Sequence, residues 1–99
     1  MSRGPQITEL VGVGIAVRTN PQHAVVVQQV LPNTPAAEAR ITAGLLIRKV
    51  DGISLDGKPL VECVQLIRGP IGSTVQLELA APDTGQTHTV ELTRRKISL

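Results

Sequence analysis

From residue 10 the chain alternates. Val11, Val13, Ile15 and Val17 stand at every second position, with Gly12, Gly14 and Ala16 between them, the two-residue period of a strand with one apolar face. Two glycines at alternate positions weaken a strand and leave nothing to pack. Leu10 to Arg18 therefore reads as a loop that opens onto a first strand. Glycine at such a place lets a second backbone or a ligand come close, and successive N–H groups in a turn converge on an anion. The stretch describes a carboxylate-sized cradle or, on these residues alone, a plain edge strand with a tight turn.

Further strands and helices follow from the same patterning. Asn20-Pro21-Gln22-His23 is a turn, and Ala24 to Leu31 is a second strand. Its Val25-Val26-Val27 run is apolar on both faces and belongs at the centre of a sheet. Thr34 suits the N-cap of a short helix with Pro35 at its first position. Leu45 to Val50 is a third strand, turned by Asp51-Gly52 into the fragment Ile53-Ser54-Leu55. Pro59 to Arg68 is the main helix, stopped by Gly69-Pro70. Leu60, Val64 and Ile67 share one of its faces, and Cys63 and Leu66 a neighbouring one. Such a helix either buries one wide face or packs with one stripe and walls a groove with the other. Ser73 to Ala81 and Gln86 to Thr93 form a last hairpin around Pro82-Asp83-Thr84-Gly85. The pattern predicts an α+β domain, a small antiparallel barrel or sandwich of five or six strands with two helices.

Composition narrows the chemistry. Ninety-nine residues make one domain. There is no Phe, Tyr or Trp, so the core must be aliphatic. A net charge of +2 is too mild for a nucleic-acid footprint. The only positive run, Arg94-Arg95-Lys96, reads as a solvated terminus. Cys63 stands alone, which leaves no disulfide and no cysteine-based metal site. Neither a metal nor a cofactor is expected. Nucleophilic catalysis needs a Ser or Cys with a base and an orienting group. The chain offers Ser2, Ser54, Ser73, Ser98 and Cys63, with His23 and His88 as bases, in no recognisable arrangement. Lys58 beside Asp56 and Ser54 reads as a solvated turn.

Taken together, Gly12-Val13-Gly14-Ile15, Asn33-Thr34-Pro35-Ala36-Ala37, Ala43-Gly44, Val50-Asp51-Gly52, Val64 to Pro70 with Gly72, and the closing Val90 to Ile97 resemble a PDZ domain of bacterial type. The similarity is greatest to the domain carried by the C-terminal processing peptidases. It covers the chain from Leu10 to Ile97, which leaves residues 1–9 as a flexible lead-in, 10–97 as the PDZ domain and 98–99 as a tail. The resemblance implies a circularly permuted topology, with Gln86 to Thr93 in the place of the first strand of animal PDZ domains. Three positions depart from the family pattern: Leu45 where Asp follows Ala-Gly, Ala39-Arg40 where a second Ala-Gly is usual, and Pro59 where a Ser caps the helix. Asp56 or Lys58 is then expected to serve the helix start.

The resemblance also implies a mechanism. A peptide C-terminus would lie between the first strand and the main helix and add to the strand edge. Its binding residues would be Val11, Gly12, Val13, Gly14, Ile15, Ala16, Val17, Leu60, Val64 and Ile67. N–H groups of Gly12, Val13 and Gly14 would take the carboxylate, and Val13, Ile15, Val64 and Ile67 would line the pocket for the last side chain. The expected partners are C-terminal tails of substrate proteins and the peptidase core of a parent serine protease, with no nucleic acid and a monomeric domain. No catalytic residue is expected here, since the family's Ser–Lys pair lies outside the PDZ region. An extracytoplasmic location, in the periplasm or cell envelope, follows from the resemblance alone. The other reading is a scaffolding PDZ domain of a secretion component or of a trypsin-like periplasmic protease.

Overall fold

The computed structural model describes residues 9–96, with 9–11 described in their backbone. Residues 1–8 of the expected lead-in and the terminal Ile97, Ser98 and Leu99 lie outside the described residues. Among the described residues, seven strands and two helices run in the order β1 (Glu9–Val11), β2 (Ile15–Thr19), β3 (Val25–Val30), α1 (Pro35–Glu38), β4 (Leu46–Val50), β5 (Ile53–Ser54), α2 (Leu60–Ile67), β6 (Thr74–Ala80) and β7 (Thr87–Thr93). All pairings are antiparallel, in the order β1-β2-β3-β4-β6-β7, with β5 attached to β4. The sheet does not close, since β1 and β7 stand at its two ends. The expected α+β frame is the one adopted. Leu10 to Arg18, expected as a loop opening onto a first strand, holds the end of β1, a turn and most of β2. Glu9, placed by the sequence in the lead-in, opens β1.

Local chemistry accounts for the joints. The β2–β3 turn is held by Asn20, whose Oδ1 accepts from the N–H groups of Gln22 and Ala24 at 3.0 and 2.9 Å. Asp51 and Gly52 take φ of 52° and 80°, the left-handed pair that a two-residue hairpin turn requires. Asp51 Oδ1 also accepts from Gln76 N–H at 2.8 Å, tying the turn to β6. Thr34 caps α1: its hydroxyl accepts from Ala37 N–H at 3.3 Å and donates to the Leu31 carbonyl at 2.7 Å, satisfying one of the helix's orphan donors. Pro59 is the N-cap of α2 and makes no side-chain bond. The expectation that Asp56 or Lys58 serves the helix start is therefore corrected. Pro59 is extended, with φ −66° and ψ 155°, and the first turn has Glu62 to meet the helix dipole.

The core is one aliphatic cluster drawn from β2, β3, β4, β6, β7 and both helices. Val25, Val26 and Val27 are all buried, as a central strand demands, and β3 lies between β2 and β4.

Arg94 is not part of a solvated terminus. It is only 7% exposed. Its Nε donates to the Ile67 carbonyl at 2.8 Å, one terminal nitrogen to Leu66 O at 3.3 Å, and the other to Ser73 Oγ and Thr74 O at 2.8 and 3.1 Å. The guanidinium caps the C-terminus of α2, where carbonyls lack helical partners and a cation is favoured. Arg95 remains at the surface, paired with Glu38 at 2.7 Å.

Candidate functional site

Gly12, Val13 and Gly14 form the turn between β1 and β2, and their three carbonyls are held from the body of the domain. Gly12 O accepts from Arg95 N–H at 3.5 Å, Val13 O from Ala36 N–H at 3.0 Å and Gly14 O from Leu31 N–H at 2.9 Å. The two glycines differ in what they do. Gly14 has φ +93°, and a Cβ there would overlap the Thr34 side chain. Its smallness admits the cap of α1. Gly12 meets nothing within 4 Å of a would-be Cβ and needs no left-handed φ, so only Gly12 faces open space.

The walls expected from sequence do converge. Val13, Ile15 and Val17 from the turn and β2, with Val64 and Ile67 from α2, belong to one cluster, and Leu60 packs against it half-buried. Ala16 is buried but lies outside that cluster, as alternation along β2 requires. Val11 ends β1 opposite Ile15. None of these site residues carries a charge. On α2, Cys63, Val64 and Ile67 are buried, while Val61 is 61% exposed.

What sequence reasoning did not find is the strand beside β2. β1 pairs with β2 with Glu9 opposite Val17, Leu10 opposite Ala16 and Val11 opposite Ile15. Its Cα atoms come within 8 Å of those of α2. The pocket walls are shut: Val13, Ile15 and Ile67 are fully buried and Val64 is 3% exposed. Thr34 and Arg94 were also missed as neighbours of the site. The capping pattern of Thr34 was legible, but nothing in the run Arg94-Arg95-Lys96 distinguishes the buried arginine from the exposed one.

Cys63 is buried, and its Sγ donates to the Lys58 carbonyl at 3.8 Å. Burial pushes the thiol up from its ordinary value of 9.0, nearby Lys58 pulls it down and Glu62 pushes it up. A thiol held protonated is a poor nucleophile. His23 lies in the β2–β3 turn at φ 65° and His88 lies on β7, both exposed. Among the described residues no group of three or more His, Cys, Asp or Glu could hold a metal, and no helix is long and apolar enough to cross a membrane.

The PDZ domain family model matches residues 2–80. A carboxyl-terminal-processing protease of Picosynechococcus sp. is 40% identical over 92 residues, which cover 92% of this chain and 22% of the relative. A chloroplastic C-terminal processing peptidase of Tetradesmus obliquus is 37% identical over 76% of this chain and 16% of its own length. The chain thus spans about a fifth of the curated relatives it matches. Among solved structures, a photosystem II D1 C-terminal processing protease superposes with a TM-score of 0.82 at 34% identity, covering 89% of this chain and 24% of that one. The PDZ domain of the Vibrio cholerae carboxy-terminal protease, solved in complex with a peptide, superposes with a TM-score of 0.79 at 28% identity, covering 91% of this chain and 98% of that one. The chain belongs to the PDZ domain family, and its likeness is to the PDZ domains of carboxyl-terminal-processing proteases.

Proposed function

We propose that this domain binds free, apolar peptide C-termini along the β2 edge that faces α2, and that it serves as the substrate-recognition or regulatory module of a C-terminal processing serine protease. The observation that carries this reading is that β2, flanked by β3 on one side, takes an antiparallel strand on its other edge next to α2. A tail added there would make main-chain bonds to β2. Its carboxylate would meet the N–H groups of Gly12, Val13 and Gly14 in charge-assisted bonds, and its last side chain would enter among Val13, Ile15, Val64 and Ile67, with Leu60 beside the third-from-last. Those walls are uncharged, so a charged end would be desolvated without a partner. The solved peptide complex of the Vibrio cholerae domain supports a peptide-binding role.

In a monomeric domain of this size a tail of four or five residues buries little area and must be ordered on binding, so the expected affinity is micromolar, about −8 kcal/mol. The domain itself would be non-catalytic, delivering tails to a peptidase core located outside the cytoplasm. The test is a titration of labelled peptides ending in Val, Ala or Leu against the same peptides with amidated ends. Free ends should bind at least about tenfold more tightly, the loss expected when charge-assisted bonds become neutral ones. Equal binding of both forms would overturn the assignment.

A further inference from the structure

We propose that β1 is an autoinhibitory strap, a built-in competitor that holds the tail-binding edge until a true C-terminus displaces it; this rests on the reading that tails add to β2. β1 has the edge, the direction and the position that a tail needs. A tail antiparallel to β2 with its carboxylate at the turn would lay its last residue beside Ile15, where Val11 lies. One strand edge offers one row of N–H and C=O groups, so strap and tail exclude each other. The sealed state of Val13, Ile15, Val64 and Ile67 belongs to the strapped form.

The strap is suited to leaving. Its described part pairs with β2 over three residues, while the turn beyond it is anchored independently at Val13 and Gly14 by the bonds from Ala36 and Leu31 to their carbonyls. When β1 detaches, Val13 and Gly14 stay in place. Gly12, with open space around it, is where the backbone can swing. The strap also lacks what a tail brings. β1 continues through a peptide bond into Gly12 and has no carboxylate at that point, whereas a free end gains charge-assisted bonds there. An internal apolar segment gains none, so the strap turns a tolerant apolar groove into one that responds to chain ends. As a tethered competitor it acts at an effective concentration on the order of millimolar.

The test compares the unmodified chain with a variant carrying Glu9→Pro and Leu10→Pro. Adjacent residues of an antiparallel strand alternate in bonding, so removing two neighbouring N–H groups breaks the pairing in either phase. The probe is a fluorescein-labelled octapeptide ending in Leu, with a free or an amidated terminus. The free-acid form should bind the variant about tenfold more tightly, the factor by which a strap closed in about nine of ten molecules depresses apparent affinity. In the unmodified chain, amide hydrogen exchange should show Glu9–Val11 losing protection when the peptide is added, while Ile15–Val17 stay protected. Equal affinity for both chains with Glu9–Val11 still protected would overturn the strap and leave tail binding standing. Absence of free-acid-dependent binding to either chain would overturn both. The exchange measurement decides the question even if the double variant fails to fold.

Discussion

At the scale of single residues, backbone conformation separates positions that the sequence makes look alike. Gly12 and Gly14 both read as room for a ligand, yet the close approach at Gly14 is made by Thr34. Gly14→Val, which from sequence alone would crowd only the cradle, is expected instead to unseat the N-cap of α1 and force a branched residue to positive φ. The loss should be about 3 kcal/mol or more in urea unfolding, whereas Gly12→Ala should stay within about 1 kcal/mol. Arg40 is the complementary case. It stands where the resemblance leads one to expect glycine, and its φ is +64°, so an arginine occupies the left-handed position just past α1. Arg40→Gly should raise stability by about 0.5–1 kcal/mol, checked by the same unfolding curves. Cys63 supplies a pH dependence. Burial raises its folded-state value above the ordinary 9.0, so the unfolded chain releases the thiol proton first. The contribution is fully present below about pH 9 and fades as the pH rises towards the folded-state value. Urea unfolding at about pH 7 and about pH 10 should show the native chain losing more stability than Cys63→Ala. The absence of tyrosine removes the commonest overlapping titration.

At the scale of elements, the helices and strands were legible where one local rule dominates. Capping chemistry located α1, the Val25-Val26-Val27 run marked the central strand, and Asp51-Gly52 marked the β4–β5 hairpin. The illegible part is tertiary. β1 has too few residues to show a period, and only pairing with β2 makes it a strand. The wide apolar surface of α2 fits burial and groove alike by its pattern. Val64 faces the core, so Val64→Glu disrupts folding as well as any groove and does not isolate binding. Arg94 joins two elements 27 positions apart, from Ile67 to the exit of β7, a separation over which no periodicity speaks. Arg94→Leu should strand the carbonyls of Leu66 and Ile67 and cost about 2–4 kcal/mol. Arg94→Lys should recover little, because a single ammonium cannot reproduce a planar fork that donates to four acceptors. Chemical denaturation of the three proteins checks both. A lysine variant of native stability would reduce the cap to a matter of charge.

At the scale of the whole molecule, an aliphatic core without aromatic rings must hold a single domain whose sheet is open at both ends. Among the described residues the pairing at one of those ends covers three residues of β1, which makes the β2 edge the part of the fold most readily remodelled without loss of the core. A ligand for that edge couples to global stability by mass action. At a free peptide concentration about 100 times the apparent Kd, binding to the folded state alone adds about 2.7 kcal/mol. For a domain of this size that raises Tm by about 10 °C or more. The amidated peptide at the same concentration, bound about tenfold more weakly, should add only about 1.4 kcal/mol and roughly half the shift, because it gains no carboxylate bonds with which to displace β1. Thermal melts with the free-acid peptide, with its amide and without peptide make the comparison. Parallel melts with a chelator and with a reductant should match the untreated chain. A Tm that rises equally with both peptides would mean that apolar surface alone drives binding. The turn at Gly12, Val13 and Gly14 would then lose its role as a carboxylate cradle.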